Sequence, residues 1–291
     1  MSSSTLLIAM GLGLGLIVGS FLNVVIHRLP RMMERQWAQD VAQWQAQQQD
    51  GGPASQALPA EGVHAHPYHL ARPGSHCPSC GHALAWHENI PLLSFVLLRG
   101  RCAACSAAIS WRYPAVELAT AGLFAWCFWR WGFTPAGWLW CGFTGSLLTL
   151  ACIDWDTQLL PDEITLPLLW GGLVAAALGW NPWTGLHDAV WGAAGGYLCL
   201  WLVYHLFKGV TGQEGMGHGD FKLLAALGAW FGWAALLPVV LVASFAGAAV
   251  GLSLRGLGRL QAGQPMPFGP FLALAGFLAM LLGPGYWWPY L

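Results

Sequence analysis

Apolar runs of membrane-spanning length recur along this chain with only short breaks, and no other feature limits its fold so tightly. Runs near residues 5–26, 115–133, 136–153, 163–180, 187–207, 220–235, 236–254 and 268–287 each approach the roughly 20 apolar residues a helix needs to cross a bilayer. Inside lipid only helices and closed barrels satisfy their own backbone groups, and runs this long read as helices. With 56% hydrophobic and 9% charged residues, the chain has too little polar surface to cover a water-soluble globule of 291 residues. The expected fold is an all-α polytopic membrane protein of about eight transmembrane helices, with a small cytoplasmic module inserted after the first. No internal repeat is visible, and a net charge of −1 gives no reason to expect a nucleic acid partner.

The chain divides into four parts. Residues 1–27 form a first helix whose Gly11, Gly13, Gly15 and Gly19 suit close helix contacts in lipid. Lacking a basic leader region and a small-residue cleavage site, it reads as a retained helix and not as a removed signal. Residues 28–71 form a variable linker, with a short polar helix over Gln36–Gln49 and a Gly- and Pro-bearing insert over Gly51–Ala60. Residues 72–112 make a cysteine-bearing module, and 113–291 the membrane-embedded domain. If the first helix starts outside, eleven of the twelve Lys and Arg face the cytoplasm, Arg130 being the exception.

Two acids stand where these helices meet water. Asp154 closes the apolar run from Leu147 to Ile153, and Asp220 follows Gly217-His218-Gly219 at the mouth of another. The orientation puts both at the cytoplasmic face, and acids at such depth are costly enough to read as functional. Two close carboxylates share one proton, so that one activates water while the other protonates a carbonyl or leaving amine. Gly217 and Gly219 remove side chains beside Asp220 and permit unusual backbone angles, letting a substrate strand approach. Asp156 is an alternative partner for Asp220 or a supporting residue that orients the loop or meets a cationic substrate. Asp162 reads mainly as a cap of the following helix, with Glu163 in its first turn. Asp188 is a helix-start acid on the outer side. His218 either tunes the acids or fills the loop.

Cys77-Pro78-Ser79-Cys80 and Cys102-Ala103-Ala104-Cys105 make two C-x-x-C pairs at the spacing of a structural zinc site. Four thiolates leave no open coordination position, so this metal is structural. A reducing cytoplasm disfavours disulfides, and His76, His82 and His87 are bystanders. Cys127, Cys141, Cys152 and Cys199 read as small core hydrophobes.

Several stretches together resemble the bacterial type IV prepilin peptidases, leader peptidases that also N-methylate the mature pilin. They are Gly19-Ser20-Phe21-Leu22-Asn23-Val24-Val25-Ile26-His27-Arg28, the paired C-x-x-C motifs with Glu88-Asn89-Ile90-Pro91 between them, and Arg112-Tyr113-Pro114-Ala115-Val116-Glu117. The Asp154–Asp162 loop, Gly215-Met216-Gly217-His218-Gly219-Asp220-Phe221-Lys222 and Pro267-Phe268-Gly269-Pro270 complete the set. Only about residues 31–72 look private to this chain. The resemblance implies a G-x-G-D aspartyl protease of the bacterial inner membrane. It implies cleavage after the glycine of a short basic leader on prepilins or related pseudopilins, then methylation of the new N-terminus, usually phenylalanine, with S-adenosylmethionine. The catalytic acids carried over are Asp154 and Asp220; no residue is assigned to methyl-donor binding. Asp156, Asp162, Glu163 and Glu214 offer countercharge to the leader.

Two other functional classes are open to such a chain. A proton-coupled transporter calls for inverted repeats and acids near the bilayer midplane. A docking platform built on the zinc module leaves Gly217–Asp220 without a role.

Overall fold

The computed structural model describes residues 3–49, 69–213, 215–259, 261 and 266–283, and every regular element among them is helical. The long helices are α1 (Ser3–Gln49), α3 (Arg112–Trp131), α4 (Pro135–Thr157), α5 (Asp162–Ala177), α6 (Leu186–Thr211), α7 (His218–Phe231), α8 (Leu236–Gly256) and α9 (Gly269–Leu282). A short α2 (Leu93–Leu97) lies within the cysteine module. The long helices begin within a few residues of the apolar runs. α1, α4, α6 and the stretch Trp233–Gly256 are long and apolar enough to cross a membrane. At 14 to 16 residues, α5, α7 and α9 are shorter than the roughly 20 of a full crossing. The protein is an integral membrane protein with four helices that meet the length and apolarity of a span among the described residues.

α1 departs from expectation, because it continues through Pro30 as one helix of 47 residues, about 70 Å long. Proline removes a single backbone bond, while residues 31–49 are rich in Met, Glu, Arg, Gln and Ala, which favour helix. Leu29 and Pro30 are themselves buried, so packing holds the chain in line across the break. The expected insert over Gly51–Ala60 lies outside the described residues, as do Glu214 and positions beyond 283 of the last apolar run.

Gly11, Gly15 and Gly19 recur one turn apart and lie against α3, where an added Cβ would collide with the backbone at Ala125, Ala121 and Glu117. Without water to drive association, such close van der Waals contact is what holds helices together in lipid. Gly13 faces open space and takes no part. At the centre stands α7, with every residue from Leu223 to Phe231 buried. Gly192 and Gly196 of α6 let that helix press onto the α7 backbone at Gly228 and Leu224. Trp230 donates its indole N–H to Leu168 O at 2.8 Å, and its own carbonyl accepts from Asn181 Nδ2 at 2.7 Å. A helix this short and this thoroughly enclosed gives its N-terminal turn a fixed position.

Candidate active site

Asp154 lies in the last turn of α4 and Asp220 in the first turn of α7, 5% and 7% exposed respectively. The fold brings their carboxyl groups within electrostatic reach of each other. The two are held differently. Asp154 Oδ2 accepts the backbone N–H of Gly269 at 2.9 Å, the first residue of α9, so a helix N-terminus points at it. Among the described residues, Asp220 Oδ1 is buried with no hydrogen-bond partner. An orphaned carboxyl oxygen in such a place costs folding free energy, which is typical of a site shaped for a reaction.

Gly269 is the residue that reading of the acids alone did not reach, although it lies in the quoted Pro267–Pro270 stretch. A Cβ there would lie 2.7 Å from Asp154 Oδ2 and 3.2 Å from Leu160 Cδ2. Gly269→Ala is expected to displace the acid and lower leader cleavage by roughly tenfold to a hundredfold, while Gly13→Ala, in open space, leaves it unchanged. Initial rates on a prepilin-derived peptide check both.

The neighbouring polar residues are already engaged. Asp156 pairs with Arg112, whose guanidinium also donates to Cys152 O at 3.1 Å, tying the start of α3 to the end of α4. Asp162 does not cap α5 with its side chain: Pro161 is the cap residue, and both Asp162 oxygens accept from Lys222 Nζ at 2.7 Å. This ion pair clamps the loop after Asp154 to the helix that carries Asp220. Gly217 has ordinary extended angles, φ −78° and ψ 147°, and Gly219 is helical, so the unusual backbone angles expected there are not found. What Gly219 provides is room, since a Cβ would stand 2.7 Å from Leu160 Cβ. His218 packs in tilted ring contacts against Tyr204 and Phe221, with centroids 5.3 Å from each. Asp188 lies in the first turn of α6, as expected. Among the described residues, carboxylates of α4 to α9 occur only in end turns, which leaves the transporter alternative without a midplane acid.

The four module cysteines converge, their sulfur atoms all within 4.8 Å of one another. Cys77 Sγ and Cys105 Sγ are 3.8 Å apart, and tetrahedral zinc–thiolate geometry predicts a separation of roughly 3.8 Å. Each pair forms the same knuckle. Gly81 N–H donates to Cys77 O and Ser106 N–H to Cys102 O, both at 2.9 Å, with Gly81 at φ +73° and Ser106 at φ +58°. Backbone N–H groups of Ser79 and Cys80 pull the Cys77 thiol down to about 6, towards the thiolate a metal requires. The donor set therefore fits a closed tetrahedral metal site. His82 lies 3.2 Å from Glu88 Oε2 and is not among the converging ligands. Of the scattered cysteines, Cys127 and Cys141 are core residues, Cys152 is half-buried and Cys199 is exposed on α6.

This architecture has recognisable relatives. A model of the bacterial peptidase A24 N-terminal domain matches residues 14–131, and one of the type IV leader peptidase family matches residues 141–252. A prepilin leader peptidase/N-methyltransferase of Pseudomonas aeruginosa is 49% identical over 274 residues, covering 93% of this chain and 88% of that protein. The chain belongs to the type IV leader peptidase family. Proteins of the same description from Aeromonas hydrophila and Burkholderia pseudomallei are 50% and 47% identical, over 92% and 96% of this chain and 88% and 87% of theirs. No solved structure matches. In this leader peptidase family member both Asp154 on α4 and Asp220 on α7 lie within the residues that the second family model matches.

Proposed function

We propose that this protein cleaves the basic leader from type IV prepilins and related pseudopilins by an aspartyl protease mechanism. It then N-methylates the new N-terminal residue with S-adenosylmethionine. The observation that carries the cleavage reading is the buried, unequal pair: Asp154 receives a helix N-terminus while Asp220 keeps an unpartnered oxygen. Asp154, oriented by the Gly269 N–H, is the base that takes a proton from the attacking water. Asp220 then holds the shared proton and gives it to the scissile carbonyl as the tetrahedral intermediate forms. Collapse of that intermediate returns a proton to the departing amine.

In this reading all eight long helices cross or enter the bacterial inner membrane, and the acids and cysteine module face the cytoplasm, where the Lys and Arg concentrate. The leader arrives there while its apolar pilin helix stays in lipid, which places the junction at helix-end depth. Glu163, exposed in the first turn of α5, is free of the clamps that occupy Asp156 and Asp162 and suits the leader's cations. Zinc on Cys77, Cys80, Cys102 and Cys105 is structural and takes no part in hydrolysis.

Incubating purified protein with a prepilin and weighing the products tests the cleavage; an intact leader after prolonged incubation counts against it. Methyl transfer needs a deprotonated amine and a sulfonium, and makes no use of a carboxylate dyad. Asp220→Asn protein given a pre-cleaved pilin is therefore expected to add one methyl group, seen by mass spectrometry. Failure to do so where wild type succeeds means that the two reactions share the acids.

A further inference from the structure

A cavity of about 1250 Å³ lies away from the acid pair, between α1, the start of α3 and the cysteine module. Pockets that bind one drug-sized ligand measure roughly 300–1,000 Å³, so this cavity is large enough for a nucleoside-sized molecule together with a peptide terminus. Its α1 wall is a helical stripe through Ser20, Asn23, His27 and Arg31, and the loops of both cysteine knuckles form the opposite side.

Glu117 lines this cavity at 8% exposure. Its Oε2 accepts the backbone N–H of Leu92 at 2.9 Å, and Ser20 hydrogen-bonds to it. Among the described residues no lysine or arginine forms an ion pair with it. A buried carboxylate is normally paired with a cation, and this one lines the cavity. Arg31 and Arg72 line the same space at its exposed side and offer a match for a carboxylate. Tyr113 and Phe95 supply aromatic rings to its lining. A ligand with a buried cationic centre, an aromatic base and an outer carboxylate satisfies all three.

We infer that this cavity is the methyl-donor site, holding S-adenosylmethionine with its sulfonium towards Glu117; this rests on the N-methyltransferase reading and gives that activity a location. The pilin amine, freed of its proton to water, forms the new C–N bond with the methyl carbon. The C–S bond breaks, its electron pair goes to sulfur, and the methylated ammonium releases a proton to solvent if a neutral product is formed. Glu117 stabilises the sulfonium on binding and becomes unpaired as the neutral thioether appears, which favours product release. Arg112 links the two regions, since it precedes the cavity-lining Tyr113 at the start of α3 and bonds to Asp156 and Cys152 on either side of Asp154.

The test titrates purified protein with S-adenosylmethionine and, separately, with S-adenosylhomocysteine, whose sulfur is neutral. Glu117→Gln is expected to weaken the sulfonium compound by roughly thirtyfold and the neutral one by less than about threefold. Equal weakening of both, or of neither, overturns the assignment of Glu117. Ala108→Trp, which adds bulk at an exposed lining position outside the Cys-x-x-Cys loops, is expected to block both compounds while leader cleavage persists; undiminished binding overturns the site. If wild type neither binds the donor nor methylates pilin, the N-methyltransferase reading itself fails.

Discussion

Asp154→Asn and Asp220→Asn are each expected to lower leader cleavage by roughly a hundredfold to ten-thousandfold while the protein still accumulates in the membrane. Asparagine at 154 keeps an oxygen for the Gly269 N–H, so the α4–α9 contact survives. What it loses is the ability to take a proton from water. At 220 the change removes the proton that the carbonyl receives, and adds an amide beside an oxygen that already lacks a partner. The two single changes should not add when combined, because either one ends the same proton exchange. Rates on a prepilin substrate, with folding followed by thermal melting, separate chemistry from stability. Near wild-type cleavage by either purified variant would remove that residue from the mechanism. Asp156→Asn should have a far smaller effect, because that carboxylate already holds Arg112.

The second large effect belongs to the cysteine module. Structural zinc contributes on the order of 10 kcal/mol to the folding of small four-ligand domains, and residues 69–111 hold no helix longer than five residues to replace it. Cys77→Ser/Cys102→Ser protein, or wild type treated with a strong chelator, is expected to lose protection from proteolysis and amide exchange throughout the module. The membrane helices should hold, since α1 and α3 meet through glycines that make no use of metal. The ties that seat the module would loosen together: Arg28 to the carbonyls of His69, Leu70 and Gly74, and Glu117 to Leu92 N–H. Reduced protein that carries no zinc, or a double serine variant with unchanged exchange, would count against a structural metal.

Much of this was legible in one dimension because lipid allows few solutions. A run of apolar residues in a bilayer must become a helix, which is why the eight long helices start close to the runs that announced them. The paired C-x-x-C spacing likewise reports its knuckles, since two turns with ligands three apart leave little freedom. α1 runs on past the expected end at residue 27 because local breaking signals say nothing about the packing that buries Leu29 and Pro30 and carries the helix on.

The sequence alone determined the membrane class, the two acids at helix ends and the four cysteines, because each is a matter of residue type at a given spacing. Only the tertiary structure decided how those groups are used. It set the N-terminus of α9 on Asp154, left Asp220 with a bare oxygen, and turned Asp156 and Asp162 from candidate participants into clamps. It also placed Glu117 beside a large cavity with no ion-pair partner among the described residues. Those outcomes depend on contacts between residues 25 to 115 positions apart. Hydrogen bonds at that range follow from how the helices pack, and no local pattern in the chain encodes them.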